Sequence, residues 1–134
     1  MILQHASPPP QEWSRPTRAA GAFAPSAAPL DDMWYLALPG HKLRRGRTVG
    51  MQLLGRPVLI GRDQAGAVFA LNDRCPHRGI PLSHGTFNGT EVECCYHGWR
   101  FNCSGTCTHI PSLLPTQKFE LGRVRTGSLP CLTR

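Results

Sequence analysis

Two short stretches carry the residues best suited to chemistry. "CPHRG" opens at Cys75 and brings His77; "CCYHGW" opens at Cys94 and brings Cys95 and His97. Residues 78–93 separate them, with no cysteine and a single histidine, His84. Thiolates and imidazoles gathered in one set are metal donors. Two of each fit one zinc ion in tetrahedral geometry. They also fit a two-iron centre in which both thiolates bind one iron and both imidazoles the other. Residue types alone leave the two metals open. Pro76, Gly79 and Pro81 border the first pair of donors and Gly98 the second. Such residues suit tight loops that bring separate segments together.

The elements that must position these loops read as short strands. "MWYLAL" (33–38) has the composition of a first strand, and "PGHKLRRG" that of a turn and loop. "TVGMQLLG" and "PVLIGR" are strand-like runs split by Gly55-Arg56-Pro57. "DQAG" (63–66) predicts a hairpin loop between "PVLIGR" and "AVFALN". "TEVECC" (90–95) reads as a strand entering the second Cys–His stretch, and "WRFN" (99–102) as a strand leaving it and turning at "CSGTC". With no helical run and no repeat, the pattern predicts an all-β domain of small antiparallel sheets with two metal-binding loops, over residues 31–134. Residues 1–30, rich in proline and alanine, show no period of 3.6 or 2. They predict a disordered leader, with an organelle transit peptide as the alternative.

The chain has 134 residues, enough for one domain with a modest core. No apolar run approaches the ~20 residues of a membrane helix, and no export signal is visible, so the expectation is no membrane and a cytoplasmic setting. There, six cysteines favour metal binding over cross-links. The net charge of +7 is spread out. Its densest run, Lys42, Arg44, Arg45 and Arg47, has no interleaved aromatic residue for base stacking, which argues against nucleic acid. The run fits either a plain solvated loop or a docking patch for an acidic ferredoxin or reductase.

The residues around the donors narrow the metal. "CPHRGIPLSHG", "CCYHGWRFN" and "GTCTHIP", in that order, resemble the Rieske domain of ring-hydroxylating and related non-haem iron oxygenases, over about residues 33–131. The resemblance implies a Rieske-type [2Fe–2S] cluster, one per chain, with Cys75 and Cys94 on one iron and His77 and His97 on the other. It implies exposed histidines. It also implies that the ligand in the doubled cysteine is Cys94, counted back from His97 through C-x-x-H, with Cys95 pointing away. Respiratory Rieske proteins carry two further cysteines that form a disulfide, where this chain has Ile80 and Tyr96. They also carry hydroxyls that donate to the cluster, where this chain has Trp99 and Phe101. Both departures point to the oxygenase or ferredoxin branch and to a lower potential.

As the N-terminal module of an oxygenase, the domain would take one electron from a reductase or ferredoxin. It would pass it to a mononuclear iron in a second domain, held by two histidines and a carboxylate. No such spacing is visible among His5, His41, His84 and His109, and "GRVRTGSLPCLTR" reads as last strands cut short. The expectation is therefore a truncated oxygenase subunit with no catalytic residue of its own. The rivals are a freestanding Rieske-type ferredoxin and a zinc-stabilised interaction module. Tyr96 and Trp99 are expected to flank His97 and shield the cluster from water. Arg78 would either position a partner carboxylate or be solvated. Cys103 and Cys107 read as ordinary thiols near a turn, and Cys131 as a small apolar filler in a strand.

Overall fold

A computed structural model describes residues 33–133 and, as backbone, the strand Ile2–Gln4. The described residues form an all-β protein. Its strands are β1 (Ile2–Gln4), β2 (Trp34–Leu36), β3 (Arg47–Leu53), β4 (Arg56–Arg62), β5 (Val68–Asn72), β6 (Thr86–Phe87), β7 (Glu91–Glu93), β8 (Arg100–Asn102), β9 (Cys107–His109), β10 (Ser128–Leu129) and β11 (Cys131–Leu132). They build three antiparallel sheets, in the orders β11-β1-β2, β10-β5-β4-β3 and β6-β7-β8-β9. Helical structure among the described residues is limited to three single 3₁₀ turns, at Gly40–Lys42, Leu82–His84 and Leu121–Arg123.

The second sheet organises the core. On β4, Val58 and Ile60 point to one face and Leu59 to the other, and all three are buried. Alternation along a strand does this, and the unbroken apolar run "PVLIG" follows from burial on both faces. Val58 and Ile60 join Leu43 and Ala70 in one core. Leu59 joins Phe69, Leu71, Leu82, Val92, Phe101 and Ile110 in the other, together with Cys75, Cys94 and Cys107. The second core thus spans the two four-stranded sheets and includes both donor cysteines.

Several boundaries differ from the sequence expectation. The β3–β4 turn lies at Leu54-Gly55, both at positive φ (50° and 77°), and not at Gly55-Arg56-Pro57. Two consecutive positive φ values match the twist of a two-residue hairpin. Pro57 is therefore inside β4, opposite Gln52. The "DQAG" loop is present: Asp63 N–H donates to the Ala67 carbonyl, and its side chain accepts the Ala67 N–H at 2.7 Å. "MWYLAL" shortens to Trp34–Leu36 and "TEVECC" to Glu91–Glu93, because the flanking residues leave the ladders for loops. Within the segment expected to be a disordered leader, Ile2–Gln4 pairs with β2 and β11. The other residues of 1–32 lie outside those described.

A candidate metal centre on two matching loops

The first donor loop is the crossover from β5 to β6; the second closes the β7–β8 hairpin. Their backbones repeat one design. In the first, Gly79 N–H donates to the Cys75 carbonyl at 2.8 Å, and Cys75 N–H donates to the Ile80 carbonyl at 2.8 Å. In the second, Gly98 N–H donates to the Cys94 carbonyl at 3.0 Å, and Cys94 N–H to the Trp99 carbonyl at 2.9 Å. Each turn thus folds back on its cysteine after four residues. Each glycine sits at positive φ, 72° at Gly79 and 69° at Gly98, where other residues are strained. A bulge in β9 adjoins the second loop: Arg100 faces His109 while Phe101 faces Cys107, which leaves Thr108 unpaired.

The four candidate donors meet as two pairs. Cys75 and Cys94 are each only 3% exposed, and Cys94 lies near enough to act on the Cys75 thiol. His77 and His97 are exposed, with ring centroids 4.5 Å apart and planes at 61°. Among the described residues, no three of histidine, cysteine, aspartate and glutamate converge on a point fit for one metal ion. The separation into a thiol pair and an imidazole pair is the division of donors that a two-iron centre would use.

Electrostatics fit the same group. Burial pushes the Cys75 thiol up to about 11, and the neighbouring Cys94 adds to the rise. The backbone N–H groups of His77 and Arg78 point at the Cys75 sulfur and act the other way. The buried Cys75 thiol resists ionisation until a cation compensates it, and metal binding then releases its proton. Desolvation, followed by His97 and Arg78, holds His77 below the usual imidazole value, which favours the neutral, ligating form.

Aromatic rings pack against the imidazoles. Tyr96 leans on His97, with centroids 3.9 Å apart and planes at 47°. Trp99 stacks on His77 of the other loop, at 4.5 Å and 4°. The sequence pairs both rings with His97; the structure uses Trp99 to tie the two loops together. Cys95, next to the buried Cys94, is exposed. His41, His84 and His109 are exposed on three different elements, and His5 lies outside the described residues. Arg78 is exposed. Cys107 is buried in the core, and Cys103 packs against it while its thiol donates to the Thr90 carbonyl. Cys131 packs against the first core. Sequence reasoning missed Asp73, which is buried at the foot of the first loop and bonded to Ser83. A lone aspartate before the motif gives no periodic or spacing signal.

Fold and site together define a small β domain with two mixed Cys–His loops whose donors suit a metal centre. The model of the Rieske [2Fe-2S] domain matches residues 33–120, and the chain belongs to that family. Its cofactor is a Rieske-type [2Fe–2S] cluster, a one-electron centre. The chain is 36% identical over 97 residues to a 4beta-methylsterol monooxygenase of Methylococcus capsulatus, covering 72% of this chain and 26% of that protein. It is 34% identical over 111 residues to the oxygenase subunit of a 3-chlorobenzoate-3,4-dioxygenase of Comamonas testosteroni, covering 82% and 26%. Among solved structures it resembles apo dicamba monooxygenase, with a TM-score of 0.66 and 34% identity over 76% of this chain and 30% of that one. The chain thus spans about a quarter of the length of these two curated relatives.

Proposed function

We propose that Cys75 and Cys94 hold one iron of the cluster and His77 and His97 the other. We further propose that residues 31–134 serve as the electron-transfer module of a Rieske oxygenase. The observation that carries this reading is the separation of the donors into a buried thiol pair and an exposed imidazole pair. When bound, the cluster takes up and gives out one electron at a time. The protein's part is to hold and insulate. The matching turns present the thiols from inside the core, and the N–H groups of His77 and Arg78 stabilise negative charge on the Cys75 sulfur. Tyr96 and Trp99 pack against the imidazoles and limit water around them. The exposed imidazole edge is where a redox partner approaches.

The partners are a reductase or ferredoxin as donor and a mononuclear-iron domain as acceptor, in a cytoplasmic setting. Two comparisons support this. The curated relatives include oxygenase subunits, and a solved neighbour with 29% identity and a TM-score of 0.63 is an oxygenase and ferredoxin complex of carbazole 1,9a-dioxygenase. No helix among the described residues is long and apolar enough to cross a membrane. The test is iron, sulfide and zinc analysis of the purified chain, with EPR after reduction. Two irons and two sulfides, with the low-average-g signal of a histidine-ligated cluster, are expected; a colourless chain with one zinc refutes the reading.

A further inference from the structure

Asp73 is the one acidic side chain buried among the described residues, at 5% exposure. Its Oδ1 accepts the backbone N–H of Ser83 at 2.7 Å, and its Oδ2 accepts the Ser83 hydroxyl at 2.6 Å. Two acceptor oxygens are the pattern of an ionised carboxylate. Neither ion pair recorded among the described residues involves it. Burying a carboxylate is costly unless its oxygens are hydrogen-bonded, and Ser83 bonds both of them.

The residue lies at the foot of the first donor loop. Asp73 precedes Cys75 by two residues, and Ser83 follows His77 by six. Their two hydrogen bonds therefore close the loop that carries both donors. The foot is fastened from other sides as well. Asp73 N–H donates to the Pro57 carbonyl at 3.0 Å, and the Thr126 hydroxyl lies 2.9 and 3.2 Å from the carbonyls of Asn72 and Arg74. Gly50 of β3 runs over the pair. A Cβ there would fall 2.5 Å from Ser83 Oγ and 3.0 Å from Asp73 Oδ2, so the close approach needs a residue without a side chain.

We propose that Asp73 is a positioning residue of the cluster: its bonds to Ser83 close the first donor loop, and its negative charge lowers the reduction potential. The proposal rests on the ligand assignment above. Reduction adds negative charge to the centre. A fixed anion in the same loop opposes that addition, and net charge and surroundings are among the factors that set such potentials.

The test compares the iron- and sulfide-loaded chain with Asp73→Asn and Ser83→Ala, by redox titration of the visible spectrum and by the rate of iron loss to a chelator. Asparagine keeps the size and one acceptor for the Ser83 N–H while removing the charge. Alanine keeps the charge and removes one bond. Asp73→Asn should keep its iron and favour the reduced state about tenfold more, about 59 mV for one electron. Ser83→Ala should stay within about twofold of the parent in that equilibrium, yet lose iron several-fold faster. A parental potential in iron-replete Asp73→Asn, or an equal shift in both variants, overturns the role of the charge. Parental iron retention in Ser83→Ala overturns the clamp, and decides the matter alone should Asp73→Asn take up no iron. A parent chain that takes up no iron refutes the ligand assignment and this proposal with it; changes confined to the variants leave that assignment standing.

Discussion

Cys94 and Cys95 are neighbours in sequence and opposites in environment: the first is 3% exposed beside the Cys75 thiol, the second is exposed. Cys94→Ser should therefore abolish iron binding, because a hydroxyl replaces thiolate poorly, while Cys95→Ser should keep the parental iron content and visible spectrum. Loss of iron in Cys95→Ser alone would reverse the assignment. Cys131 supports a second prediction. Burial pushes its thiol from 9.0 up to about 11. Below pH 9 it is protonated in both folded and unfolded chains, and its contribution to stability is intact. Between pH 9 and 11 the unfolded chain gives up this proton while the folded chain keeps it, so stability falls. Melting temperatures from pH 8 to 11 should drop less steeply for Cys131→Ala than for the parent. At this scale the candidate donors stood out in the sequence because metal ligation demands particular atoms at particular spacings. The stack of Trp99 on His77 was not, because it joins two loops whose relative placement only tertiary structure sets.

At the level of elements, the two donor loops are one turn used twice, with a glycine four residues after each cysteine. The glycines differ in their surroundings. A Cβ at Gly79 meets nothing within 4 Å, whereas one at Gly98 lies 3.1 Å from Pro111 Cγ. Both alanine variants carry the positive-φ strain, about 1 kcal/mol. Gly98→Ala also presses a methyl against Pro111, which must give way by a few tenths of an ångström, and should lower the melting temperature and speed iron loss more than Gly79→Ala does; the reverse order would contradict the structure. Beneath the loops, Phe101 on β8 is fully buried between the four-stranded sheets. Phe101→Ala should cost about 3–5 kcal/mol in denaturant unfolding, as large-to-small changes in a dense core do. The strands were legible where alternation or an apolar run marked them, as in "PVLIGR". The Leu54-Gly55 turn was not, because Pro57 reads as a breaker although it stands near the start of β4, opposite Gln52. The two-residue strands β10 and β11 exist through pairing partners far along the chain, which local composition does not reveal.

For the whole molecule, the account is a division of labour. A β scaffold buries the Cys75 and Cys94 thiols and leaves the His77 and His97 imidazoles at the surface. In the proposed role of an electron-transfer module, reduced chain mixed with oxygen and an aromatic compound should give no coupled hydroxylation, and stoichiometric product would contradict that role. The all-β class was legible from punctuation by glycine, proline and aspartate and from the lack of a 3.6-residue period. The arrangement of three sheets around two cores was not, since it depends on which strand faces are covered. The most direct test of the central claim is Mössbauer spectroscopy of the chain loaded with iron-57 and reduced by one electron. Neutral imidazoles stabilise the added electron better than thiolates, so two inequivalent irons are predicted, with the ferrous site on the histidine side, and the signal should vanish in Cys94→Ser. Two equivalent irons, or a single iron per chain, would contradict the pairing of Cys75 with Cys94 and of His77 with His97.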